Sequence, residues 1–167
     1  QSNIRFKIQT NRPLQTAPLD YFRWAYEYKQ SGKLKLEEIW EKVVEDFAPF
    51  NLNITTDLQV FLAAPLNSRI RCIITPTDRA SYGSGGVAYL NSFNWTDDTP
   101  CWAFSTSRSV SLVATTISHE VGHSLSLDHD GTYSEEYYDG HGSGDVAWAP
   151  IMGSSYNNLT QWSKGEY

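Results

Sequence analysis

The chain is short of basic charge, of cysteine and of methionine, and each shortage narrows what it can do. Its 13 Lys and Arg stand against 19 Asp and Glu, a net charge of −6, and no basic cluster interrupts that balance. Nucleic acid and an anionic membrane surface are therefore set aside as partners. No apolar run approaches the ~18 residues of a membrane span, and the longest, residues 60–66, contains Pro65. Two cysteines, Cys72 and Cys101, are too few for a disulfide-built scaffold. They suit either one disulfide in an oxidising compartment or two buried free thiols. The only methionine is Met152, and residue 1 is a glutamine, so a processed or trimmed N-terminus is expected, with a signal or pro-segment lost.

What is present is an ordinary globular composition. With 167 residues, 40% of them hydrophobic and 19% charged, disorder, collagen and coiled coil are poor fits, and one self-sufficient core is expected. No internal repeat occurs, but near residue 130 periodic segments give way to Gly, Ser, Asp and Tyr. We therefore expect a single, monomeric domain over 1–167, with a regular upper part of about 1–125 and an irregular lower part of about 126–167.

Hydrophobic periodicity places the elements. Residues 5–10 alternate as a strand, while Leu36, Ile39, Trp40, Val43, Val44 and Phe47 fall on one face of a helix that Pro49 closes. Residues 51–56, 69–75, 87–90 and 102–105 are further strand candidates, the third led in by Gly83, Gly85 and Gly86. Val110, Val113, Ile117, Val121 and Leu125 then recur at helical spacing across 109–125. The pattern gives the order strand, helix, strands, helix, with two main helices.

The second of those helices carries His119-Glu120-Val121-Gly122-His123. Helical residues four apart are turned by only about 40° and displaced by about 6 Å, so both imidazoles can reach one ion, and zinc suits two such nitrogens. Glu120 stands where a base could flank the metal without ligating it. A catalytic zinc takes three protein ligands and keeps one position open. His129 is the candidate third, but in a continuous helix it would lie about 15 Å from His119 along the axis. The chain must therefore turn, with Ser126 at the turn in a position that wants positive φ.

These residues carry a family resemblance. The segment HEVGHSLSLDHD resembles the signature HExxHxxGxxH of metzincin metallopeptidases, followed by Asp130 as in their adamalysin or reprolysin branch, and Pro150-Ile151-Met152-Gly153 looks like the Met-turn. The resemblance implies a metzincin-like α+β fold: a twisted mixed sheet, an active-site helix and an irregular C-terminal subdomain around a cleft. It implies a secreted zinc endopeptidase acting on protein or peptide substrates. His119, His123 and His129 would bind zinc, and Glu120 would take a proton from the metal-bound water and pass it to the leaving amine. Met152 would form an apolar floor, and Asp130 an anchoring group beside the ligands. Ser126 departs from the pattern, standing where the family has glycine, and strain of roughly 1 kcal/mol is expected there.

Weaker candidates remain. Val87 and Ala88 could present a strand edge to an extended peptide. Tyr156 could line the pocket or donate a hydrogen bond to an oxyanion, against plain packing, and Trp162 with 157–161 could wall the substrate pocket by family analogy. The loop 139–145 could hold calcium, although it lacks the EF-hand spacing, and His141 within it could approach the cleft or remain solvated. A gluzincin would use a downstream glutamate, but Glu135 and Glu136 follow His123 too closely and show no helical periodicity. A non-hydrolytic zinc-binding recognition or adhesion module would keep the histidines without needing Glu120.

Overall fold

The computed structural model describes residues 2–8, 35–155 and 159–162. Ten regular elements are labelled here in chain order: β1 Ser2–Ile8, α1 Leu36–Phe47, β2 Leu52–Thr55, α2 Leu58–Ala63, β3 Arg69–Thr75, β4 Gly86–Val87, β5 Cys101–Phe104, α3 Val110–Ser124, β6 Trp148–Pro150 and β7 Leu159–Gln161. The expected α+β plan is found. Five strands form a mixed sheet in the order β2-β1-β3-β5-β4, parallel except for β4, which runs antiparallel to β5 at one edge. Among the described residues, no helix is long and apolar enough to cross a membrane.

The two long helices form where the periodicity places them. α1 buries Ile39, Val43 and Phe47 on one stripe, and the Trp40 indole N–H donates to the Ile54 carbonyl at 3.1 Å, tying the helix to β2. α3 begins where the Ser109 hydroxyl oxygen accepts the Leu112 N–H at 3.2 Å, satisfying one of the orphan donors of the first turn. Its buried Val113, Ala114, Ile117 and Val121 join Ile70, Cys72, Ile74, Cys101 and Ala103 of the sheet and the α1 stripe in a single core. Ser118, Glu120 and Ser124 are also buried, because α3 is covered on more than one side.

Several expectations are corrected. The first strand begins at Ser2, earlier than expected, and is described to Ile8; residues 9 and 10 lie outside the described residues. The edge strand is only Gly86–Val87, because the following chain caps α3: the Asn91 and Phe93 N–H groups donate to the His123 and Ser124 carbonyls at 3.0 and 2.9 Å, serving acceptors that the helix end leaves open. Residues 58–63, within an apolar stretch lacking a clear period, form the short helix α2, nucleated by the Asp57 carboxylate accepting the Gln59 and Val60 N–H groups. The lower part is less irregular than its composition suggests, since β6 and β7 pair in parallel. Cys72 and Cys101 stand in register on β3 and β5, fully buried and unbridged, so the free-thiol alternative holds.

Candidate metal centre

The geometry of the site begins at the C-terminal end of α3. The Ser126 N–H donates to His123 O and the Leu127 N–H to Gly122 O, both at 3.0 Å, the bond pair of a Schellman closure. Ser126 takes the left-handed conformation at φ 77°, as its position at the turn requires. Its hydroxyl donates to Asn91 Oδ1 at 2.7 Å, a bond that glycine could not make and that offsets part of the conformational cost. The turn sends the chain back over its own helix and returns His129 to the two helical histidines.

His119, His123 and His129 then converge, with one potential ligand atom from each within 4.8 Å of the others. The Nε2 atoms of His123 and His129 are 3.0 Å apart. Every Nδ1 is tied outward: His119 to Ile151 O at 2.7 Å, His123 to Leu127 O at 2.8 Å and His129 to Glu136 Oε1 at 2.7 Å. Carbonyl and carboxylate oxygens only accept, so each Nδ1 carries the donated proton and each Nε2 turns its lone pair inward. Burial, chiefly, lowers the His119 pKa to about 4 and lowers that of His123 as well. Lone pairs aimed at one point repel unless a cation lies between them, and burial disfavours a proton in that role. The donor set therefore fits a divalent ion that favours nitrogen, such as zinc, bound at about 2.0–2.1 Å.

Glu120 lies beside this centre, only 6% exposed. Burial pushes its carboxyl up to about 8, as expected for a carboxylate taken from water without compensation. A Cβ on Gly86 would stand 2.7 Å from both Glu120 Cγ and Oε1, so the edge strand approaches the carboxyl this closely only because residue 86 has no side chain.

The floor of the site is equally close-packed. Met152 is buried beneath Gly122, where a Cβ would come within 2.5 Å of its sulfur. The Asp130 N–H donates to Met152 O at 2.9 Å and the Tyr138 N–H to Asp130 O at 2.6 Å, fastening the chain after His129 to the 150–153 turn. Asp130 is thus held by its backbone, and it has a further interaction of its own. Tyr137 packs its ring 4.1 Å from that of His129 and stacks 6.4 Å from that of His119.

Above the floor opens a cleft of about 570 Å³, whose lining includes Val87, Ala88, Glu120, the three histidines and Tyr137. Tyr156 lies outside the described residues. Trp162 is absent from the lining: it packs 4.9 Å from Phe47 and donates its indole N–H to Asp46 O at 2.5 Å, on another side of α3. His141 shares a hydrogen bond with the Tyr138 hydroxyl at 3.0 Å and packs on Trp148. Among the described residues, the three histidines form the one cluster of metal-ligating side chains; the 139–145 loop assembles no comparable group, and calcium finds no support. Glu136 and Tyr137 are the contacts that sequence reasoning missed, since nothing in their spacing signals that the loop folds back onto His129.

Residues 41–130 match the metallopeptidase family M12B, reprolysin-like. The match covers more than half of the 167 residues and ends just past His129, and the chain belongs to that family. No curated protein matches it at the level of sequence. Among solved structures it is similar to that of myroilysin, with 18% identity and a TM-score of 0.39 over 77% of this chain and 49% of the other. The chain therefore spans about half the length of that protein.

Proposed function

We propose that the chain is a zinc-dependent endopeptidase of the metzincin clan that hydrolyses extended segments of protein or peptide substrates. The observation that carries this reading is the joint geometry of the three outward-tied histidines and the buried carboxyl of Glu120 beside an open cleft. His119, His123 and His129 would hold the ion. When bound, zinc supplies Lewis acidity toward a peptide carbonyl and lowers the pKa of water to about 7. Glu120 accepts the proton of the attacking water at a carboxylate oxygen and delivers it to the departing amine nitrogen, general acid and base work worth roughly 10² to 10⁴ in rate. Burial favours its protonated form, which makes it a competent acid in the second half of the cycle.

The other residues position. Met152 and the 150–153 turn support the histidines from below, with the Ile151 carbonyl fixing the His119 ring. The edge strand β4 offers main-chain groups to an extended peptide, with Val87 and Ala88 lining the cleft. A non-hydrolytic module would have no use for a carboxyl kept buried against the cleft at an electrostatic cost, so Glu120 favours the enzyme.

Zinc-loaded protein incubated with an unfolded, mixed-sequence protein should generate new termini by mass spectrometry, absent with a chelator or with Glu120→Ala. An inert wild type that still carries one zinc per chain would instead support the recognition module. A further outcome concerns Glu136, whose carboxylate is bonded to the imidazole of the candidate ligand His129. Losing such a partner typically weakens metal binding by about 10- to 100-fold. Glu136→Ala should show that loss in competition with a chromophoric chelator, and Glu136→Gln, which keeps an acceptor oxygen, should recover most of it. Equal affinity in all three proteins would show that the bond does not support the site.

A further inference from the structure

Arg108 is the one arginine or lysine among the described lining residues of the cleft, and its surroundings set it apart from Arg69, Arg71 and Arg79. Arg69 donates to the carbonyls of Phe61, Leu62 and Ala64, Arg71 pairs with Asp98, and Arg79 is exposed. Arg108 is half-buried, and no acceptor among the described residues bonds its guanidinium. Its Nη1 and Nη2 lie instead 3.1 and 3.3 Å from where a Cβ on Gly85 would stand, against bare backbone. The other charged side chains of the lining are Glu120 and Asp139, which has an interaction of its own, and neither forms a hydrogen bond or ion pair with Arg108 among the described residues.

The base of Arg108 is firmly mounted. The Ser105 N–H and hydroxyl donate to Thr75 O at 2.8 and 3.3 Å, and the Thr106 hydroxyl donates to Pro76 O, anchoring the turn to the end of β3. The Arg108 N–H closes back on Ser105 O at 3.3 Å, and Ser109 caps α3 immediately after it. A half-buried guanidinium on a fixed base at the cleft, bonded to no acceptor among the described residues, is a site for a planar anion, and a carboxylate satisfies its fork geometry.

The strand edge gives the direction. The Phe104 N–H donates to Gly85 O at 2.8 Å, so Gly85 turns its carbonyl to β5 and Gly86 turns its polar groups away from β5, where its carbonyl accepts the Ser84 hydroxyl at 2.8 Å and keeps a second lone pair. A peptide added there in the stronger, antiparallel sense runs with its C-terminal part toward Gly85 and Ser84. Gly86 touches Glu120 and Gly85 touches Arg108. Their Cα atoms are about 3.8 Å apart, which brings the guanidinium within reach of the first three substrate residues past the cleaved bond, at roughly 3.4 Å each.

We propose that Arg108 selects substrates carrying an acidic side chain within the first three residues on the C-terminal side of the scissile bond. This rests on the endopeptidase reading above and adds the substrate class. Peptide pairs differing only by Glu or Gln at each of those positions test it. The wild type should favour Glu at one position by roughly ten- to hundredfold in kcat/KM, Arg108→Gln should level the pair, and Arg108→Glu should turn the preference toward Lys. The same pairs, fluorescently labelled, are titrated against zinc-loaded Glu120→Gln protein with and without Arg108→Gln, so that selectivity is read by anisotropy without turnover. Equal treatment of Glu and Gln peptides by the wild type, or an Arg108 variant that weakens both alike, overturns the proposal. Arg108-dependent binding of acidic peptides by a protein that cuts none of them would contradict the endopeptidase reading and overturn the placement relative to a scissile bond, while Arg108-independent cleavage would overturn the proposal and leave that reading standing.

Discussion

Glu120→Gln lowers kcat for peptide hydrolysis by roughly two to four orders of magnitude while the protein still binds one zinc. The amide matches the carboxyl in shape, so the packing against Gly86 survives, but it can neither accept the proton of the attacking water nor return one to the leaving amine. The candidate ligand nitrogens are untouched, because Glu120 forms no hydrogen bond to any of the three imidazoles among the described residues. The loss therefore falls on kcat at preserved metal stoichiometry and with little change in KM. A variant retaining more than a tenth of wild-type kcat would remove Glu120 from the proton transfer.

The same substitution stabilises the metal-free protein at alkaline pH. Burial raises the Glu120 pKa from 4.5 to about 8 in the fold, so between those values the unfolded chain has released a proton that the folded one retains. This contribution to stability is fully present below pH 4.5 and is lost as pH rises through about 8, by on the order of 4 kcal/mol. His119, lowered from 6.5 to about 4, works in the opposite sense, its contribution being lost as pH falls through that range. Asp46 is raised by burial from 3.8 to about 6, and its contribution is lost as pH rises through that window. Both groups are present in wild type and variant, so the difference between the two proteins isolates Glu120. Urea unfolding in the presence of chelator should show Glu120→Gln several kcal/mol more stable than wild type at pH 8.5 and far less advantaged at pH 4.5. A pH-independent difference would mean that the carboxyl is not desolvated as the structure indicates. The group proposed for catalysis is thus one that the metal-free fold holds at a cost in stability.

Much of this was legible in the sequence because it is local. The α1 stripe and the α3 repeat are written in residues three and four apart, and the two helical histidines follow from the same geometry. The need for a turn before His129 follows from the length of a continuous helix, and the positive φ at Ser126 from the way helices close. What was not legible depends on distant chain. α2 is six residues long, too short for a period to show. β6 and β7 are three-residue strands whose partners are eleven positions apart, beyond any alternation signal. Glu135 and Glu136 were weighed as metal ligands and set aside on spacing, yet Glu136 returns as the partner of the His129 ring, a relation set only by how the loop folds back. Cys72 and Cys101 lie 29 positions apart, and that they meet on neighbouring strands as free thiols is set by the sheet and not by their spacing. The bond between Ser126 and Asn91 likewise joins a turn to a loop 35 residues away.

The most direct measurement is X-ray absorption at the zinc edge of the zinc-loaded protein, alone and with His129→Ala. The account predicts three nitrogen donors at about 2.0–2.1 Å and no sulfur, with one imidazole lost in the variant. A sulfur donor, or an unchanged imidazole shell in His129→Ala, would contradict it.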